Sequence, residues 1–313
     1  MMKRISAVLL ALCMLFGCIV YSSAAEPSDA QSVCCLHENS EWKLLVPPTL
    51  ITDSYYQRVC PDCGMKQTAK KARTSFIVMA FDRLARLFFL FDNYTLSDDF
   101  TVTAHTGPGE IPQNSKFSLD YSLATGANTV EFDLALDSEG VAVLAHGSED
   151  EAEMTLDEAF AKVASYYGTT VNVDVKNKEA VSQAQECAIK YGILDRIFYT
   201  GVPEHDVGYV REHSPLVPYY INISASADPA DCARVCDRVL ELGAIGLNFN
   251  YNDYSPELAQ AARERGLKLS VYTVNSLKDM RTVLDCDVDN ITTEFPYKLY
   301  TVTNSLTRVC GCR

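Results

Sequence analysis

Three things are scarce in this 313-residue chain, and positive charge is the first: 27 Lys and Arg stand against 41 Asp and Glu, a formal charge of -14. Such a molecule repels polyphosphate, which excludes nucleic-acid recognition through a basic face as a working function. Compositional bias is the second. With 15 Gly and 12 Pro the chain is no collagen-like fibre, and 48% apolar with 22% charged residues is a globular balance that excludes wholesale disorder. A membrane-spanning run is the third. The stretch 5–21 is almost wholly apolar, but its length of about 16 residues falls short of the ~20 that cross a bilayer comfortably.

That stretch has another reading. Lys3 and Arg4 precede it and Ser23-Ala24-Ala25 follow it, the charged, apolar and small-residue parts of a secretory signal peptide, so export with residues 1–25 removed is expected. Removal takes two cations and no anions, leaving 25 basic against 41 acidic residues and a charge of -16. A lipoprotein box at Leu15-Phe16-Gly17-Cys18, which would retain a lipidated Cys18, is disfavoured by the bulky Phe16.

Residues 32–70 hold four soft ligands in two pairs: Cys35 with His37, then Cys60 with Cys63 in Cys60-Pro61-Asp62-Cys63-Gly64. Two such pairs fit tetrahedral Zn2+, and a ~40-residue piece needs a staple because its own core is too small. The pattern resembles the zinc-ribbon-like repeats of exported bacterial proteins. Disulfides among Cys34, Cys35, Cys60 and Cys63 are the alternative in an oxidising exterior, but they leave His37 idle. Residues 71–96 place Phe76, Ile77, Ala80, Leu84, Leu87 and Phe91 at helical spacing among Arg73, Arg83 and Arg86. This amphipathic connector could lie on an anionic membrane surface. Packing against the following domain is preferred, because Asp82 and Asp92 interrupt the basic face.

From residue 100 the pattern changes to short apolar runs at 100–106, 129–136, 170–175, 196–201, 217–223, 244–249, 267–274 and 289–293, with helix-like stretches at 116–125, 156–167, 180–191, 207–213, 229–242, 256–265 and 277–284. Strand–helix alternation repeated about eight times predicts an α/β fold, a (β/α)8 TIM barrel over 100–303, with its chemistry at the carboxyl ends of the strands. The first strand ends in His105, and the second carries Glu131-Phe132-Asp133. An extra apolar run at 141–145 delivers His146, and the third strand carries Asp174-Val175-Lys176. Residues two apart on a strand face the same way, so Glu131, Asp133, Asp174 and Lys176 converge if that side is the barrel mouth. Three buried carboxylates repel one another, and a divalent oxygen-preferring cation, Ca2+ or Mg2+, resolves the conflict.

The stretch 102–147, VTAHTGPGEIPQNSKFSLDYSLATGANTVEFDLALDSEGVAVLAHG, together with VNVDVK, LKLSVYTVN and DNITTEFP, resembles the glycerophosphodiester phosphodiesterase family. The His146-Gly147 and Asp174-Val175-Lys176 pieces are also similar to the related spider-venom sphingomyelinase D enzymes. The resemblance implies His105 and His146 as general base and acid, Glu131, Asp133 and Asp174 as metal ligands, and Lys176 beside the phosphate. An exported, metal-dependent phosphodiesterase acting on glycerophosphodiesters or lysophospholipid-like headgroups is therefore expected. The alternatives are a non-catalytic surface-binding protein on the same barrel and a metal-independent phosphatidylinositol-type phospholipase. There are departures. Thr106 stands where the family has arginine, Gln113-Asn114-Ser115 replaces Glu-Asn-Thr, and Tyr272 replaces a common tryptophan. His205 and His213 read as surface residues, and the spacing of Cys187, Cys232, Cys236, Cys286, Cys310 and Cys312 dictates no pairing.

Overall fold

Antiparallel pairing and parallel pairing build two separate sheets in this chain. The computed structural model describes residues 43–46, 54–59, 61, 66–71, 96, 99–107, 111–125, 127–147, 152–224 and 229–303, all within one unit spanning 35–313. β1 (Lys43–Val46), β2 (Ser54–Val59) and β3 (Lys66–Lys71) form an antiparallel sheet with β2 in the centre. Cys60 and Cys63 fall in the connection between β2 and β3. With Cys35 and His37 they lie outside the described residues, as do 1–25 and nearly all of the 71–96 connector.

The parallel sheet begins with β4 (Thr101–Ala104) and β5 (Thr129–Leu136). It continues through β7 (Thr170–Val175), β8 (Ile197–Val202), β9 (Tyr219–Asn222), β10 (Gly246–Asn250), β11 (Lys268–Tyr272) and β12 (Asn290–Thr293). β4 pairs with both β12 and β5, so eight parallel strands close into the expected barrel. A ninth strand, β6 (Ala142–Leu144), runs antiparallel along the carboxyl end of β5, with Leu134 opposite Leu144. The helices α1 (Lys116–Ala124), α2 (Leu156–Ala164), α3 (Val181–Lys190), α4 (Val207–His213), α5 (Pro229–Glu241), α6 (Pro256–Arg263) and α7 (Leu277–Leu284) match the periodic stretches in the sequence. An eighth, α8 (Pro296–Val302), was not expected. Its aromatic and β-branched composition favours strand over helix, but Pro296 opens it and fully buried Leu299 ties it to the core.

Side-chain alternation explains what faces where. On β5, Phe132 points outward and meets Phe160 of α2 with ring centroids 6.0 Å apart, a burial that contributes ~1.5–3 kcal/mol. Its neighbours Glu131 and Asp133 therefore point inward. Near the amino end the barrel interior is filled by Phe198 and Tyr220, packed edge to face at 5.5 Å. Gly246 makes room for that ring, since a Cβ there would lie 2.8 Å from Tyr220 and 2.1 Å from the Lys268 carbonyl oxygen. The turns at the carboxyl ends are fixed by caps: Ser115, Thr155, Ser255 and Ser276 each accept from a backbone amide of the helix that follows, each cap worth about 1 kcal/mol.

The antiparallel sheet contacts the barrel at its amino end. Arg58 of β2, only 6% exposed, donates from Nη2 to the Gly192 carbonyl at 2.6 Å, and Tyr56 stacks on Tyr167 at 4.2 Å. Tyr167 and Gly192 precede β7 and β8, on the side opposite the strand ends that carry the polar groups. Among the described residues no helix is long and apolar enough to cross a membrane.

Candidate active site

Inward-facing positions on β5 and near the carboxyl end of β7 bring Glu131, Asp133 and Asp174 together, each offering one oxygen within 4.8 Å of the others. The register sets this up, because Asp133 lies directly opposite Asp174 in the parallel pair. Lys176, two residues on, returns to the same side. Its Nζ lies 2.7 Å from Asp174 Oδ2 and 3.1 Å from Asp133 Oδ1. Burial works against that ammonium's charge, but the two aspartates prevail and raise its pKa. Glu131 is the misfit of the group. Burial, then Asp133 and Asp174, push its carboxyl well above the usual range, and the Thr106 N–H and Lys176 offset only part of this. One ammonium serves three carboxyl groups, so the donor set is all oxygen and short of positive charge. That fits a hard divalent cation.

The histidines are oriented by their Nδ1 atoms. His105, just past β4, has Nδ1 2.8 Å from the Thr106 carbonyl oxygen. A carbonyl only accepts, so Nδ1 carries the proton and Nε2 keeps a free lone pair in the neutral ring. His146, just past β6, places Nδ1 3.3 Å from Asp133 Oδ2, with its side chain 67% exposed. Asp133 is thus the hub that touches His146, Lys176 and, through Oδ2 at 2.8 Å, the Asn114 amide.

The sequence-predicted residues Glu131, Asp133, Asp174, Lys176 and His146 are in direct contact or within one cluster, and His105 joins through Thr106, whose N–H donates to Glu131 Oε2 at 2.8 Å. Thr106 itself is buried and occupied. Its hydroxyl accepts from the Asn114 N–H at 2.7 Å and lies 3.2 Å from Ser118 Oγ, which also accepts from the Gly107 N–H. Asn114 and Ser118 were not assigned roles from the sequence. A polar residue buried beside a strand-end turn was the available signal. On the next strand Thr200 Oγ1 sits 2.7 Å from Asn172 Oδ1 and 3.2 Å from Asp174 Oδ1. His205 is exposed beside Asp206 and His213 stacks on Tyr209 at 3.9 Å, so neither joins the cluster. Cys187, Cys236 and Cys286 are free thiols and Cys232 is buried, while Cys310 and Cys312 lie outside the described residues.

Comparison with known proteins points one way. The model of the glycerophosphoryl diester phosphodiesterase family matches residues 148–298. That stretch takes in Asp174 and Lys176 and leaves His105, Glu131, Asp133 and His146 on its amino side. A glycerophosphodiester phosphodiesterase of Caldanaerobacter subterraneus subsp. tengcongensis is 22% identical over 237 aligned residues, covering 63% of this chain and 95% of the relative. A glycerophosphodiester phosphodiesterase from Parabacteroides distasonis superposes with a TM-score of 0.56 at 20% identity, over 66% of this chain and 97% of its own. A phosphodiesterase from Oleispira antarctica, solved in complex with the product sn-glycerol-3-phosphate, does so with a TM-score of 0.54 at 17% identity, over 70% and 98%. At these identities the structural matches speak for the barrel fold.

Proposed function

We propose that this chain, whose residues 148–298 match the glycerophosphoryl diester phosphodiesterase family, hydrolyses glycerophosphodiesters or related phospholipid headgroup diesters by two-histidine acid–base catalysis. The observation that carries this reading is the convergence of the three carboxyl groups, Lys176 and His146 on one strand-end cluster. Glu131, Asp133 and Asp174 would hold Ca2+ or Mg2+, which supplies positive charge against the anionic oxygens of the diester. Lys176 adds a second cation on the same side. The His105 Nε2 lone pair takes the proton of the attacking hydroxyl as its oxygen bonds to phosphorus. His146, protonated at Nε2, gives its proton to the alcohol oxygen as that P–O bond breaks. Asp133 stabilises the His146 imidazolium through Nδ1. When the attacking hydroxyl is the substrate's own neighbouring one, a cyclic phosphate and the free alcohol form first, and addition of water across a ring P–O bond then gives sn-glycerol-3-phosphate, as bound in the Oleispira relative. Read with its first 25 residues as a signal, the enzyme acts outside the cell, and Cys35, His37, Cys60 and Cys63 form a structural Zn2+ site.

Buried Thr106, engaged with Asn114 and Ser118, offers no cation to the substrate in place of the family's arginine. This favours a second reading, a non-catalytic binding protein on the same barrel. A panel of glycerophosphodiesters decides between them, assayed with Ca2+ or Mg2+, with EDTA, and with His105→Ala. Turnover lost in EDTA and in the variant supports the hydrolase. Metal-raised melting with no turnover supports the binding protein, and equal product in all three conditions overturns the mechanism.

A further inference from the structure

A directional hydrogen-bond relay runs through the barrel interior and ends beside the carboxylate cluster. Its direction is fixed at Gly201. The register between β8 and β9 shifts at this point, and Gly201 has a φ of 71°, which turns its N–H out of the ladder. That N–H lies 3.1 Å from the Asn222 side-chain oxygen. A backbone amide only donates, so Oδ1 of Asn222 is the atom that faces it. The Asn248 atom 3.0 Å from the same oxygen is then its NH2, which leaves Asn248 Oδ1 to accept from Ser270 at 2.9 Å. Ser270 in turn accepts from the Asn290 NH2 at 2.9 Å, and Asn290 Oδ1 accepts from Thr103 at 2.7 Å. Every donor from β4 to β9 points the same way, an arrangement in which each bond strengthens the next.

The relay ends in a donor. Asn222 uses its oxygen twice, and among the described residues nothing accepts from its Nδ2, although the residue is half-buried at the carboxyl end of β9. Gly201 separates this amide from the acidic cluster by a single residue's width, since a Cβ on Gly201 would fall 2.2 Å from Asp174 Oδ1. We infer that Asn222 Nδ2 is a substrate-binding donor that takes a phosphoryl oxygen of the diester. The inference rests on the hydrolase reading for the identity of that ligand. It also answers the departure at Thr106: a neutral amide, polarised through four strands, contributes to holding the phosphate where a guanidinium is lacking.

Asn222→Asp keeps an oxygen for Gly201 and Asn248 but replaces the NH2 with a second acceptor. Asn222→Ala removes the donor without adding charge. Using the full chain with Mg2+ or Ca2+, we expect Asn222→Asp to melt within a few degrees of wild type. In both variants KM for the best diester and the dissociation constant of sn-glycerol-3-phosphate, read by calorimetry, rise about tenfold to a hundredfold, with kcat changed much less. Ser270→Ala, which breaks the relay away from the substrate, produces a smaller rise. KM and product affinity within twofold of wild type in Asn222→Asp overturn the inference. Should Asn222→Ala fail to fold, salt decides: a loss of affinity in Asn222→Asp that persists in 0.5 M salt (about 4 Å of screening length) supports the missing donor, and one that vanishes there reduces to charge repulsion and overturns it. Failure of wild type to turn over any diester rejects the hydrolase reading instead. The product-binding measurement still judges Asn222 on its own.

Discussion

Asp133 and Asn114 hold each other by two hydrogen bonds of opposite direction: the Asn114 amide donates to Asp133 Oδ2 at 2.8 Å, and the Asp133 N–H donates to Asn114 Oδ1 at 2.9 Å. Asn114 is also, among the described residues, the single non-glycine with a positive φ, 57°, a conformation that asparagine tolerates better than alanine. The pair thereby locks the turn before α1 onto the hub of the candidate site.

Asn114→Ala loses both bonds and adds backbone strain, so a cost of about 3–4 kcal/mol is expected. Asn114→Gly loses the bonds but relieves the strain, so it should be more stable than the alanine variant by about 1 kcal/mol while sharing its loss of activity. Urea denaturation checks the order. An alanine variant as stable as the glycine variant would show that the positive φ carries no cost.

His146 as the acid predicts a dependence on the leaving group. With an alkyl diester, His146→Ala should lose about 10²–10⁴ in kcat. With an aryl diester releasing p-nitrophenolate, which leaves without protonation, the loss should nearly disappear, while His105→Ala remains impaired on both. The exposed position of His146 should also let added imidazole restore part of the activity. Equal losses on the two substrates would assign the acid elsewhere.

Lys176→Met takes away the ammonium between Asp133 and Asp174. The repulsion it offset then falls on the carboxylates alone, and about 2–3 kcal/mol of stability should be lost in EDTA. Added Ca2+ or Mg2+ should recover more melting temperature in this variant than in wild type. A variant whose melting is indifferent to the metal would argue against a cation among these carboxylates.

Acid should weaken one tie far from the site. Arg263 of α6 grips Asp287 through Nε and Nη2, both at 2.6 Å, and this bond holds the Asp287 carboxyl below its ordinary value of 3.8. A depressed carboxylate contributes its stability above the unfolded value and loses it as pH falls through the lower folded one. Asp287→Asn should therefore melt lower than wild type at pH 7, and the gap should close as pH falls through the lowered folded value. A gap that stays constant with pH would mean that the ion pair adds nothing measurable.

The acidic cluster was legible in the sequence because its residues follow the two-residue period of a strand: Glu131 with Asp133, and Asp174 with Lys176, stand out against apolar neighbours. The barrel was legible for the same reason, since alternation of short apolar runs with helical stretches survives small errors at element ends. Asn222, Asn248 and Asn290 were not legible as a group. Each is one polar residue in a buried strand, and only the register that sets Asn248 opposite Asn222 and Ser270 makes them a set. α8 escaped because tertiary burial of Leu299, and not local propensity, makes it a helix. The role of Asn114 depended on a left-handed backbone that no spacing announces.

The contact of Arg58 and Tyr56 with the barrel base gives the two ends of this protein separate modes of failure. Damage at the mouth, around Asp133, changes chemistry on a barrel that still stands. Damage at the base leaves the strand-end cluster in place and instead uncovers the Gly192 carbonyl and the face of Tyr167. A barrel excised at residue 100 therefore leaves both groups facing water. The piece that reads in the sequence as an appendage is a cover for the barrel base, seated on Tyr167 before β7 and Gly192 before β8.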